Sequence, residues 1–75
     1  MNYNLTRYFT RDLLNGSFDY YVVEGDLVRV YYKYTKDWRV SRFSLNELLS
    51  QLKEKTRVVE YPIEEFVLFV PAQIL

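Results

Sequence analysis

Neither a cysteine nor a histidine occurs in this 75-residue sequence, and that double absence constrains the fold more than any motif does. A chain this short buries only about 60–65% of its unfolded surface, and its core rarely supplies more than roughly 3–5 kcal/mol. Small domains often add a disulfide or a zinc site, and both need side chains that are missing here. Stability must come from apolar burial or from association. Eight Tyr, five Phe and one Trp supply the apolar mass. A single compact domain over residues 1–75 is expected.

The same absence narrows the chemistry. Histidine is the usual acid–base group near neutral pH and the commonest metal ligand. Without it, Ser17, Ser41, Ser44 or Ser50 needs a lysine or carboxylate base, and none stands at a recognisable spacing. Glu60, Glu64 and Glu65 read as a solvated acidic edge rather than a catalytic pair. The two glycines, Gly16 and Gly25, form no phosphate-cradling loop. The expectation is a protein that is not an enzyme, with no cofactor and no metal.

Ten basic and ten acidic residues cancel, so no global field draws the chain to nucleic acid or membrane. The charge is segregated, however. Val28–Phe43, VRVYYKYTKDWRVSRF, holds five basic residues against one acid. Acids gather at Asp19, Glu24 and Asp26, and again at Glu60, Glu64 and Glu65. No apolar run approaches the ~20 residues of a membrane span. The start, MNYNLTRYFTRD, has no apolar stretch behind a basic one, so no secretory leader is read there and a cytoplasmic protein is expected.

Leu5, Tyr8, Phe9 and Leu13 fall at helical spacing and predict a first helix over Leu5–Leu14, capped by Asn4 or Thr6 and stopped at Asn15-Gly16. Phe18–Val23, Leu27–Tyr34 and Trp38–Phe43 are rich in β-branched and aromatic residues and predict a three-stranded meander. A two-residue type II′ turn at Gly25-Asp26 would put Tyr21 and Val23 beside Val28 and Val30; a three-residue loop would put Tyr20 and Val22 there. Tyr34 opposite Trp38 would place Arg29, Tyr31, Lys33, Arg39 and Phe43 on one face.

Ser44-Leu-Asn-Glu47 is a capping box, and Phe43 with Leu48 has the spacing of a hydrophobic staple. A helix over Ser44–Lys55 follows, with Leu45, Leu48, Leu49 and Leu52 as its apolar stripe. Thr56–Tyr61 predicts a strand, Ile63–Phe66 a single helical turn, and Phe66–Val70 a strand buried on both faces. The fold class is α+β: an antiparallel sheet built on a three-stranded meander, in the order α-β-β-β-α-β(β), with the helices packed on one face. That order resembles double-stranded-RNA-binding domains in topology alone. Their basic start to the second helix is replaced by Ser44-Leu-Asn-Glu47.

Interfaces favour Tyr, Trp, Phe and Arg. The sequence therefore predicts a small non-catalytic regulator or inhibitor, of the size that phages and other mobile elements carry. Its expected protein-binding face is Arg29, Tyr31, Lys33, Lys36, Arg39 and Phe43. The alternative is a single-stranded or structured nucleic-acid module using the same face, since bases stack on aromatic rings beside basic groups. The apolar end Phe66–Leu75 predicts self-association as a homodimer.

Overall fold

The structure is a computed structural model and describes residues 5–75, so the candidate cap Asn4 lies outside it. In chain order the elements are β1 (Thr6–Asp12), β2 (Phe18–Glu24), β3 (Leu27–Tyr32), β4 (Asp37–Val40), α1 (Leu45–Glu54), β5 (Val58–Tyr61) and α2 (Ile63–Phe66), with a final 3-10 turn at Ala72–Ile74. The strands form one antiparallel sheet in the order β4-β3-β2-β1-β5. The α+β class and the meander stand. The element order does not, because the first element is a strand.

Why Leu5–Leu14 mimics a helix is visible in β1. Phe9 points to one face and packs with Tyr21, Val30 and Leu48; Tyr8 points to the other and packs with Phe66. A strand covered on both faces carries apolar residues at consecutive positions and loses the period-two signal. The remaining residues, with Thr6 and Thr10 β-branched, suit a strand. Asn15-Gly16 ends no helix. It lies in the loop of residues 13–17 that joins β1 to β2.

Gly25 and Asp26 form a two-residue turn between β2 and β3, with Glu24 opposite Leu27. The positive φ falls on Gly25, at 62°, as a type II′ turn requires. This register puts Tyr21 and Val23 beside Val28 and Val30 in one cluster. The next hairpin departs from expectation. Tyr31, not Tyr34, opposes Trp38, and Lys33–Lys36 form the turn. A shift by an odd number of residues exchanges the faces. Arg39 therefore lies on the Val30 side, while Arg29 and Tyr31 lie on the other.

The cap of α1 forms as the sequence demands. Ser44 Oγ accepts from the Glu47 amide at 3.2 Å, and Glu47 Oε1 accepts from the Ser44 amide at 3.0 Å. Lys55 closes the helix in the left-handed region, its amide donating back to Gln51 and Leu52 carbonyls. The helix connects β4 at one sheet edge to β5 at the other, so it crosses the sheet. Ten residues rise about 15 Å, close to the ~19 Å width of five strands. Leu48 is the helical residue it buries fully, among Phe9, Tyr21, Val23, Val28, Val30 and Val58. Arg7 locks β1 to β5 on this side with two hydrogen bonds to the Glu60 carboxylate, at 2.7 and 2.8 Å. Those bonds hold the Arg7 pKa above its ordinary value.

The opposite face is covered as well, which corrects the expectation of helices on one face. Ile63–Phe66 does form a helical turn. Phe66–Val70 is not a strand: its amides donate back along the chain, Phe69 to Phe66 and Val70 to Phe66. Phe66, Phe69 and Val70 thus share one side and meet Tyr8, Tyr20, Val22, Tyr31, Trp38 and Tyr61. Ile74 joins the same cluster, while Leu68 and Leu75 of the apolar end stay exposed. Among the described residues, no helix is long and apolar enough to cross a membrane.

Leu48→Ala should cost about 2–5 kcal/mol in a denaturant melt, through lost transfer energy and a cavity. The half-buried Leu49 should cost less, and Ser44→Ala about 1 kcal/mol. A Leu48→Ala loss below about 1 kcal/mol would mean that α1 does not pack on the sheet.

Candidate protein interface

The residues expected to share a binding face are spread over the fold. Tyr31 is buried in the second cluster, its ring 5.0 Å from that of Trp38. Arg29 is spoken for: it donates to Glu24 at 2.8 Å and lies 5.1 Å from the Trp38 ring. Arg39 is on the α1 face, 5.6 Å from the Tyr32 ring and 3.9 Å from Asp37. Phe43 packs against the Phe9 cluster beneath the Arg11 guanidinium, at 4.4 Å. Lys33 and Lys36 remain together in the exposed β3–β4 turn. The basic and aromatic alternation of Val28–Phe43 thus arises largely from long cationic stems lying over rings within the sheet.

The structure gathers a different set at one end of the sheet. The β1–β2 loop and the β3–β4 turn flank a cavity of about 310 Å³, lined by Leu13, Phe18, Tyr20, Tyr32, Lys33 and Tyr34 among others. Tyr34 stands fully exposed at the turn, and Phe18 is half exposed. Lys33 Nζ lies 4.8 Å from the Tyr20 ring and brings positive charge to the rim.

Next to Leu13 in the same loop is Leu14, 65% exposed. Its φ is 63°, in the left-handed region where a branched apolar side chain is strained by about 1 kcal/mol. The loop is built to hold it there. Asp12 Oδ1 accepts from the Leu14 amide at 2.8 Å, Asn15 Oδ1 accepts from the Ser17 amide at 3.0 Å, and the Leu13 amide donates to the Ser17 carbonyl at 3.0 Å. Reading Leu5–Leu14 as a helix hides this residue. The Leu-Asn-Gly sequence between two strands was the available signal, since Asn and Gly mark a turn.

On the α1 side of the same end lies a more polar cavity of about 280 Å³, lined by Arg11, Asp19, Tyr21, Tyr32, Arg42 and Phe43 among others. The Tyr21 hydroxyl donates to Asp19 Oδ2 at 3.2 Å. Burial first, and the Asp19 carboxylate second, push the Tyr21 hydroxyl well above the ordinary tyrosine range, while Arg11 pulls it down. Among the described residues no cluster of His, Cys, Asp and Glu is arranged to hold a metal ion. No protein-family model matches the sequence, and neither a curated protein nor a solved structure matches it.

The Tyr21 shift has a pH consequence. An unfolded tyrosine ionises near pH 10, whereas the folded hydroxyl holds its proton to higher pH. The stabilisation is complete below about pH 10 and is lost as pH rises through the raised folded value. Tyr21→Phe should flatten this alkaline loss in melts between neutral and strongly alkaline pH. Equal alkaline slopes in the two proteins would show that Tyr21 is not its source.

Proposed function

We propose that the chain is a small non-catalytic protein-binding module, a regulator or inhibitor, whose working surface is the sheet end around Leu14, Phe18, Lys33, Tyr34 and Lys36. One observation carries the reading: Leu14 is apolar, exposed and held at positive φ by a hydrogen-bonded loop. Glycine or asparagine fills such a position at lower cost, so folding gains nothing from leucine there. A partner that buries Leu14 gives it a use. Tyr34 and Phe18 add rigid aromatic area of the kind that dominates interface energetics.

The partner's chemistry follows from the rim. Lys33 and Lys36 have no ion-pair partner among the described residues. A protein surface with apolar groups flanked by carboxylates is complementary to it. Nucleic acid gains less support, because Arg7, Arg29 and Arg39 are each paired with an acid. A phosphate backbone needs a continuous basic track.

Leu14→Gly separates folding from binding. It relieves the left-handed strain, so stability should hold or rise by up to about 1 kcal/mol. Capture of a protein from nuclease-treated host lysate should fall sharply with Leu14→Gly and with Tyr34→Ala, by about 30-fold in affinity if each is an anchor. Capture unaffected by either change would exclude this surface. Capture that disappears on nuclease treatment, with steeply salt-dependent binding to single strands, would move the reading to nucleic acid.

A further inference from the structure

The sheet has two outer edges, and they are guarded differently. The Ser41 amide donates to the Val28 carbonyl, so Ser41, Arg39 and Asp37 face inward in the alternating antiparallel ladder. The backbone groups of Trp38 and Val40 face outward from β4. The Asp12 amide donates to the Arg57 carbonyl, so by the same alternation Arg57, Val59 and Tyr61 face β1. The backbone groups of Val58 and Glu60 face outward from β5. Among the described residues no strand follows β5.

Natural edges are blunted by charge, proline or bulges. Charge guards β4 through Asp37 and Arg39. It is nearly absent from β5: Val58, Val59 and Tyr61 are apolar, and Glu60 is neutralised by Arg7. Val59 is 46% exposed beside a cavity of about 380 Å³ that also takes in Leu52, Lys55, Arg57 and Tyr61.

We infer that β5 is a docking edge for a second copy of this chain, pairing antiparallel to its counterpart about a two-fold axis at Val59. In that register Val58 meets Glu60 of the second copy and Glu60 meets Val58, so every outward backbone group of β5 finds a partner. Val59 meets Val59, an apolar cross-strand contact. Shifting the axis to Glu60 would oppose two carboxylates and place Pro62, which has no amide proton, opposite Val58. Pairing β4 with itself about Arg39 would oppose two guanidiniums, which is unfavourable. Pairing β4 with β5 is heterologous and gives a ring or an open filament rather than a two-fold dimer.

Charge supports the same geometry. Lys55 and Arg57 precede β5, Glu64 and Glu65 follow it, and none has an ion-pair partner among the described residues. Antiparallel pairing brings the basic end of one β5 beside the acidic end of the other. The result is one continuous sheet across two chains, with the Leu14 surfaces at opposite poles.

Sedimentation of the wild type from low to high micromolar concentration should show a monomer converting to a dimer. Val59→Lys should raise the dissociation constant by about tenfold or more, since like charges would meet at the axis. Val40→Lys on the other edge should leave it unchanged. Glu64→Lys with Glu65→Lys should weaken the dimer, and adding Lys55→Glu with Arg57→Glu should restore it. Hydrogen exchange tests the wild type directly: the Val58 and Glu60 amides should gain protection with concentration, while the Val59 amide, bonded to β1, is protected throughout. A wild type that stays monomeric at high micromolar concentration overturns the inference. So does a dimer indifferent to Val59→Lys, or one whose Val58 and Glu60 amides exchange equally fast at both concentrations.

Discussion

Phe66 is the residue on which the second half of this structure depends. It has no exposed surface, and its ring stands 5.1 Å from that of Tyr8 and 6.4 Å from those of Tyr20 and Phe69. Tilted and edge-on ring pairs of this kind add to the free energy of burial. They hold the segment after β5 against a sheet face that would otherwise expose Tyr8, Tyr20, Val22, Tyr31 and Trp38 together. A face of that size left in water marks an interaction site or an aggregation hazard. The chain closes it with its own tail.

Covering both faces explains where function is left to reside. With α1 on one side and the Phe66 segment on the other, the sheet offers a partner its ends and its edges. The long cationic side chains do not form a platform, because Arg11, Arg29, Lys33 and Arg39 lie over neighbouring rings. Two of the exposed apolar groups that remain, Leu14 and Tyr34, stand on loops positioned by the rigid sheet. Loops of that kind are where binding residues concentrate.

Local chemistry made some of this legible in the sequence. The capping box at Ser44 needs only neighbouring residues, and it forms as read. The glycine at position 25 favours a two-residue turn but leaves a three-residue loop open in the sequence, and the structure takes the two-residue turn. Elements whose signal depends on what covers them are not legible in this way. Thr6–Asp12 looks helical because burial on both faces removes the alternation of a strand. Phe66–Val70 looks like a strand because its apolar run is unbroken, although Phe66 and Val70 are buried on one side while Leu68 is 79% exposed. The β3–β4 register is not legible in the sequence, because the turn has four residues rather than three and the pairing shifts, and the expected binding face goes with it. Leu14 escapes notice in the sequence because it ends the apparent helix Leu5–Leu14, whereas its exposure and positive φ come from its place in the β1–β2 loop.

The central claim is that a chain without staples stabilises itself by burying both faces of one sheet, with Phe66 as the inner contact of the second. A denaturant melt of Phe66→Ala tests it most directly. Truncating a buried phenylalanine costs about 3–5 kcal/mol, comparable to the whole stability expected of a core this small. The variant should be largely unfolded without denaturant, or melt at a far lower midpoint with a broadened transition. A cooperative melt at the wild-type midpoint would show that the C-terminal segment contributes little and that the sheet stands on α1 alone.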